Sequence, residues 1–334
     1  MRPGVGEWLA VRRFRGAESR GLARVALGLY GAERVGVVLA REGWLLEEPV
    51  GLDRVRTVLT DVPAPGPPEV VEHVLPPGYD TYTQAIGDLA RPRLFEDRPC
   101  YRLVDANGVL TYGMTTYFQA LDVREALAHE FAAAALKGEP TWDDLPLRRS
   151  TTDLPMAAGV LTLTLSRDGH FLAHQRDGRA VADAGGNITA VPAGTFQPTS
   201  DHTAAHDFDL WRTIMREYAE ELLGYPERRG TIDYDNDEPF ATLDKARQDN
   251  RIQLYYYGTT MDPLTLGVSH LTVAVLDELP QDIATTNDEG RVLKGIPFTE
   301  QAIAELEPRL SLGTLHLLRR AHLDRERLLA PGPQ

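Results

Sequence analysis

Residues 209–223 constrain the fold of this 334-residue chain more than any other segment. Apolar residues recur there at steps of three and four, which gives a helix one apolar stripe. The stripe consists of Trp211, Ile214, Met215, Tyr218 and Leu222. We predict an amphipathic helix that ends at Gly224 and buries this stripe against a core.

Three glutamates of the same segment lie off the apolar stripe. Glu217, Glu220 and Glu221 stand at i, i+3 and i+4, so their carboxylates share one face. Like charges at this spacing repel each other by about a few tenths of a kcal/mol per pair. A hard divalent cation, Mg²⁺ (or Mn²⁺), takes oxygen ligands and would turn this repulsion into a binding site. A solvated acidic face is the other interpretation, and the helix by itself leaves both open.

The segments that flank the helix indicate a β-rich unit around it. Alternating or β-branched apolar runs predict strands at residues 159–165, 170–176, 252–257 and 271–276. Asp168-Gly169 supplies the turn of a hairpin between the first two of these strands. Residues 190–194 lead from a strand into a loop at Gly194. The predicted order is therefore a hairpin, a glycine loop, the acidic helix and two further strands.

This order and the residues of the helix resemble a known family. Residues 216–221, Arg-Glu-Tyr-Ala-Glu-Glu, resemble the REUxEE core of the Nudix box, in which U is an apolar residue. Residues 190–194 resemble the entry to the box's first glycine, and residues 172–177 resemble the family's second strand. The resemblance covers residues 155–280. It implies an α+β protein that contains a Nudix-type α/β/α sandwich with a mixed sheet.

The resemblance also implies an activity and a set of residues. Such domains hydrolyse the diphosphate linkage of a nucleoside-diphosphate derivative with Mg²⁺ (or Mn²⁺). Carried onto this chain, Glu217, Glu220 and Glu221 would hold the metal, and Glu220 or Glu221 would act as general base through a metal-bound water. Arg216 would pair with a box glutamate and hold its rotamer. Gly194 would let the backbone approach the phosphates.

The box departs from the family pattern in three places. Gly194 and Arg216 are separated by an offset of 22 positions, eight more than the pattern has. The family's early glutamate falls on Phe208, so that Asp207 or Asp209 would have to replace it, although either could instead cap the helix. One extra residue precedes Gly224. The departures keep a second hypothesis open: a Nudix-like sensor or regulatory protein that binds a nucleotide without hydrolysing it.

Two further residues are candidates for substrate binding. Arg176 follows the hairpin and could contact a phosphate, although surface arginines are common in this arginine-rich chain. Phe196, just after the glycine loop, could stack on a base or simply pack in the core. The expected ligand is a small-molecule nucleotide derivative.

A polar segment that contains prolines predicts a division into two domains. Residues 138–155 are polar with three prolines, and we place the boundary there. This division gives an α+β N-terminal domain at 1–145, a Nudix-like domain at 150–310 and a C-terminal helix at 311–334. In the first domain we predict a strand at 35–40, a hairpin turn at Asn107-Gly108 and a helix at 122–136 capped by Asp122 and Glu125.

The N-terminal domain has no motif that we can assign. It could recognise substrate, cover the cleft or form a homodimer. Residues 112–118 are a dense aromatic and threonine run, which predicts a strand that lines a pocket or packs in the core.

Composition excludes several classes of protein. The net charge is −14, with −3 in residues 1–150 and −11 in residues 151–334, which argues against direct DNA binding. The single cysteine, Cys100, excludes an internal disulfide framework and a cysteine-based zinc cluster. Because neither a secretory signal nor an apolar run of roughly 18 residues is present, we expect a cytoplasmic protein without a membrane span.

Overall fold

The computed structural model describes residues 2–66, 73–150, 156–176, 187–279, 283–284, 286–287 and 290–330. This part of the chain is α+β, built on a mixed sheet with helices packed against it. None of its helices is both long and apolar enough to cross a membrane.

The strands are β1 (Arg34–Val35), β2 (Val38–Leu39), β3 (Leu45–Gly51), β4 (Thr57–Leu59), β5 (Pro99–Asp105), β6 (Leu110–Thr116), β7 (Ala158–Ser166), β8 (His170–Arg176), β9 (Ile188–Ala190), β10 (Ala193–Thr195), β11 (Ile252–Met261), β12 (Val268–Leu276), β13 (Thr286–Asn287) and β14 (Gly290–Pro297). The helices are α1 (Val5–Leu27), α2 (Tyr82–Leu89), α3 (Tyr117–Ala135), α4 (Pro146–Ser150), α5 (Leu210–Glu221), α6 (Phe240–Gln248), α7 (Glu300–Leu306), α8 (Leu312–Leu323) and α9 (Arg325–Leu329).

The large sheet has the order β1-β2-β11-β12-β7-β8-β14-β13. Strands β7 and β12 are parallel at its centre and pair over nine residues. Three more strands are added to this path: β10 pairs with β7, β9 with β8 and β3 with β11. A separate small sheet has the order β4-β6-β5. This parallel pair makes the large sheet mixed. Strand β10, which carries Gly194, lies beside the centre of the sheet because it pairs with β7.

Strand β7 is buried on both faces because helices cover both sides of the sheet. Leu161 and Leu163 pack in one cluster with residues of α8, whereas Val160 packs in another with residues of α5. Thr162 and Thr164 are also buried, and each has a hydrogen-bond partner: the Thr272 hydroxyl at 2.8 Å and the Val191 carbonyl at 2.8 Å. These partners offset the cost of burying two hydroxyl groups.

Both predicted hairpins are confirmed. Strands β7 and β8 are antiparallel neighbours joined through Gly169, whose φ is +84°. Strands β5 and β6 pair antiparallel across Gly108, whose φ is +73°. A residue without Cβ adopts this left-handed conformation at little cost, which is why glycine occupies both turns.

Several predicted elements have different bounds. Gly36, with φ +62°, divides the predicted strand 35–40 into two short strands of a tight hairpin, β1 and β2. The run 112–118 leaves the strand after Thr116, where helix α3 begins. Asp122 lies inside this helix, and the capping box is instead formed by Thr116 and Gln119. The predicted C-terminal helix is interrupted at Asp324, which separates α8 from α9.

Residues of the first 145 positions complete the large sheet. Strands β2 and β3 pair with β11, and the small sheet is connected to β12 by a buried contact between the Tyr112 hydroxyl and His270 Nε2 at 2.7 Å. The other ring nitrogen of His270 lies 3.0 Å from the Thr259 hydroxyl. The division into two domains stays a prediction, but the two parts of the chain share this sheet.

Candidate functional site

The predicted acidic helix is present as α5 and begins where a capping residue allows it. The Asp209 carboxylate accepts hydrogen bonds from the backbone N–H groups of Trp211 (2.6 Å) and Arg212 (3.2 Å), two of the donors that a helix start leaves unpaired. The predicted apolar stripe is buried. Gly224, with φ +72°, follows the end of the helix, as predicted.

Gly194 lies directly against Glu217. A Cβ at residue 194 would lie 2.1 Å from the Glu217 carboxyl carbon, far inside contact distance. Strand β10 places Gly194 opposite Val160 of β7, while α5 packs above these strands. Any side chain at residue 194 would therefore have to displace the far end of the Glu217 side chain.

Glu221 is held by groups of the sheet. Its side chain is buried, and one carboxylate oxygen accepts a hydrogen bond from the Ala193 N–H at 2.7 Å. The other oxygen lies 3.5 Å from Nδ1 of the fully buried His174 on β8. The last glutamate of the helix is thus bound to the strand that carries Gly194.

Glu220 has a strongly perturbed proton affinity. Burial raises its pKa to about 9, and the negative charges of Glu217 and then Glu227 act in the same direction. The nearby positive charge of Arg216 opposes this rise.

The three glutamates line one open cleft of about 1370 Å³. Residues of the first 145 positions line the same cleft, among them Arg91, Arg98 and Tyr117. As the side chains are placed, no group of three or more His, Cys, Asp or Glu among the described residues is arranged to hold a metal ion. The cleft thus combines a carboxylate wall from α5 with arginines from the N-terminal part of the chain.

Arg216, also on α5, lies in a buried hydrogen-bond network. Its guanidinium donates hydrogen bonds to the Tyr234 hydroxyl (2.5 Å), the Gln197 carbonyl (2.6 Å) and the Thr213 hydroxyl (3.1 Å). The fully buried Asp207 carboxylate lies 3.6 Å from it. Of the two aspartates that could replace the missing early glutamate, Asp207 faces Arg216, whereas Asp209 caps the helix.

Asp207 stays charged in this buried position because it has several donors. It accepts hydrogen bonds from the Thr199 N–H (2.9 Å), the Thr199 hydroxyl (2.8 Å) and the Tyr234 hydroxyl (2.9 Å). Burial acts to raise the pKa of Asp207, but the hydrogen bonds of Thr203 and Thr199 and the charge of Arg216 bring it below its ordinary value. The inserted loop before α5 is therefore attached to the helix through a charged core.

Of the two predicted substrate-binding side chains, Phe196 lies in the core and does not line the cleft. Phe196 is fully buried, in ring contact with Tyr101 (4.4 Å), Tyr112 (5.2 Å) and Phe208 (5.6 Å). This placement corresponds to the packing role that the sequence left open. Arg176 ends β8, and its side chain lies outside the described residues.

Sequence reasoning missed three contributors to the site. His174, which lies near Glu221, was predicted only as part of a strand. Tyr234, which is hydrogen-bonded to Arg216, lies 18 residues after it in the chain. The Arg98–Glu227 ion pair joins the first part of the chain to the loop after α5. A buried histidine in an otherwise apolar strand was a usable signal for His174. The other two depend on long-range packing that spacing does not encode.

Comparison with known proteins finds remote similarity alone. No family model matches the sequence, and no curated protein matches it. Among solved structures, a bifunctional NMN adenylyltransferase/ADP ribose pyrophosphatase from Francisella tularensis, complexed with AMP and Mn, aligns at 16% identity and a TM-score of 0.34 over 65% of this chain and 64% of its own. A second structure of that enzyme aligns at 17% identity and a TM-score of 0.32, covering 65% and 63%.

The protein DR0079 from Deinococcus radiodurans aligns at 10% identity and a TM-score of 0.30, over 49% of this chain and 82% of its own. This chain spans less than two thirds of the length of the Francisella enzyme.

Proposed function

We propose that this chain is a Nudix-type hydrolase that cleaves the diphosphate linkage of a nucleoside-diphosphate derivative. The sheet with α5 on one face and α8 on the other would be its α/β/α sandwich. The observation that carries the proposal is the placement of Glu217, Glu220 and Glu221 on one wall of a cleft, beside the strand of Gly194. Three carboxylates directed at one cleft are suited to phosphate chemistry that requires a hard cation.

The donor chemistry of this wall fits Mg²⁺ or Mn²⁺. All three side chains offer carboxylate oxygens. Glu217 and Glu220 repel each other electrostatically, and a bound cation would offset this repulsion. Glu217, Glu220 and Glu221 would hold the ion. When bound, such an ion neutralises phosphate oxygens and lowers the pKa of a coordinated water.

The chain's own residues would position the substrate around this wall. Gly194 leaves room for the Glu217 carboxylate beside strand β10, at the cleft where phosphates would approach. Arg216, through Tyr234 and Asp207, fixes α5 relative to the Gln197 backbone. Glu220, which lines the cleft together with Glu217 and Glu221, is our candidate for the general base.

One observation favours the alternative of a nucleotide-binding protein without turnover. Glu221 is already bound to the Ala193 N–H and lies beside His174, so its oxygens are engaged by the protein itself. In this second proposal the cleft would bind a nucleotide for regulation, and α5 would be an acidic wall without hydrolytic activity.

Turnover separates the two proposals. We would incubate the protein with Mg²⁺ or Mn²⁺ and a panel of nucleotide sugars, dinucleotides and nucleoside diphosphates, and identify products by mass spectrometry. A hydrolase yields products cleaved between the phosphates, and Glu220→Gln abolishes both this cleavage and the thermal stabilisation by Mg²⁺. The exposed Glu305→Gln on α7 is the matched control. A ligand that stabilises the protein and is recovered intact would contradict the hydrolase proposal.

A further inference from the structure

Residues 91–98, Arg-Pro-Arg-Leu-Phe-Glu-Asp-Arg, bring a basic and aromatic segment from the N-terminal part of the chain to the cleft of α5. We call it the basic-aromatic segment. Six of its eight residues line the cleft, among them Arg91 and Phe95, and Leu94 is 49% exposed.

The basic-aromatic segment is held at the cleft from two sides. The Phe118 N–H donates to the Asp97 carboxylate at 2.7 Å, and the Tyr117 N–H donates to the Arg98 carbonyl at 2.7 Å, which attaches the segment to the start of α3. The Arg98 guanidinium pairs with Glu227 in the loop after α5.

A second ion pair strengthens this attachment. Arg229 contacts Glu96 at 2.8 Å, and Glu96 also pairs with Arg98. Because Glu227 and Arg229 both follow α5 directly, the segment has a fixed position relative to the carboxylate wall.

Phe95 forms the centre of a stack in this segment. Its ring packs on Phe118 with centroids 4.5 Å apart and planes tilted by 31°. The Arg91 guanidinium lies 5.4 Å from the Phe95 ring centroid, and Arg91 is exposed. Gly87 of α2 also lies beside the ring, and a Cβ there would be at an ordinary contact distance of 3.4 Å from it. The Phe95 ring thus packs on Phe118 and has the exposed Arg91 guanidinium beside it.

We propose that Phe95 and Arg91, which line the cleft side by side, form a nucleobase subsite that selects nucleotides over simple phosphates. The inference rests on the proposed function for its assumption that the phosphates lie at α5. A base stacks on an aromatic ring more strongly than an exposed guanidinium does, so it would displace Arg91 from the ring. The released guanidinium is then available to pair with a phosphate of the same ligand. The N-terminal part of the chain would thereby determine ligand class.

The test compares two ligands that share a diphosphate but differ in the base. We would titrate ADP and inorganic pyrophosphate into the full chain with Mg²⁺ by calorimetry, for the wild type and Phe95→Leu, which keeps apolar contact with Phe118. We expect ADP affinity to fall about tenfold, the loss typical of one stacking face, and pyrophosphate affinity to change less than about twofold. The control is Tyr255→Leu, whose ring is contacted by Arg327 at 5.7 Å outside the cleft, and it should change neither affinity.

A fluorescence measurement keeps the proposal testable if Phe95→Leu is poorly folded. In Phe95→Trp the indole emission should be quenched by ADP and unaffected by pyrophosphate. The proposal is overturned if the wild type binds ADP no more tightly than pyrophosphate, or if Phe95→Leu weakens both equally. If ADP is preferred and this preference depends on Phe95, but no diphosphate is cleaved, the subsite stands and the hydrolase proposal fails.

Discussion

Glu217 occupies the space that a side chain at Gly194 would need, since a Cβ there would lie 2.1 Å from the glutamate's carboxyl carbon. Gly194, predicted to lie in a loop, is part of strand β10, so the contact joins this strand to the acidic helix at the cleft. It gives the glycine a role that differs from the predicted one, because Gly194 accommodates a carboxylate as well as exposing backbone.

Gly194→Ala should therefore damage activity more than stability. The methyl group would displace the far end of the Glu217 side chain, and a displacement of about 1 Å in a catalytic group costs roughly 100-fold in rate. We expect the free energy of unfolding to change by less than about 1 kcal/mol, because a flexible side chain can move. Urea denaturation and turnover of the identified substrate measure the two effects. Gly31→Ala, where no atom lies within 4 Å of the added methyl, is the matched control.

Tyr234→Phe should destabilise the fold by removing one hydroxyl. That hydroxyl donates to Asp207 at 2.9 Å and accepts from Arg216 at 2.5 Å, so its loss leaves two buried charged groups less well paired. Hydrogen bonds to charged groups contribute about 1.5–3 kcal/mol each, and we expect a loss of about 2 kcal/mol in chemical denaturation. Tyr225→Phe, at a residue that is 44% exposed, should change stability by less than about 0.5 kcal/mol. Equal stability of the two variants would contradict the network.

Acid should destabilise the protein through buried histidines. Burial lowers the pKa of His316 to about 4, with Arg320 and Arg319 acting in the same direction. His316 is thus neutral in the folded state, whereas the unfolded chain takes up a proton below about pH 6.5. Stability is therefore present above pH 6.5 and is lost as the pH falls toward 4.

His316→Leu tests this dependence. At about 1.36 kcal/mol per pH unit, the variant should lose about 2 kcal/mol less stability than the wild type between pH 7 and pH 5. Urea denaturation at both pH values measures the difference, and the exposed His202→Leu controls for the loss of a histidine. Parallel pH profiles of wild type and His316→Leu would contradict the assignment.

Cys100 should be unreactive in the folded protein. It is fully buried, and burial raises the pKa of its thiol to about 12, so little thiolate is present at pH 8. We expect labelling by a disulfide reagent to require unfolding in urea. Fast stoichiometric labelling of the native protein would show that the thiol is accessible.

The helix with its acidic face could be predicted from sequence because its signals are local. The period of the apolar residues, Asp209 before the first turn and Gly224 after the last lie within 16 consecutive positions. Turns at Gly108 and Gly169 were predictable for the same reason. The start of α3 was wrong by five residues because Asp122 offered a cap by composition, whereas Thr116 has the extended backbone that a cap requires.

The partner of Arg216 shows what sequence left open. Asp207 and Asp209 were equivalent candidates by position, and only packing placed one in the core and the other at the helix start.

By itself, the sequence determined the acidic helix, the hairpins that precede it and the carboxylate chemistry of the cleft, since each follows from residues that are neighbours in the chain. Tertiary structure alone decided that Phe196 is core, that Tyr234 connects Asp207 to Arg216, and that the basic-aromatic segment meets the cleft of α5. These relationships join residues far apart in the chain, and the free energy that selects them comes from burying particular side chains together, which no local pattern records.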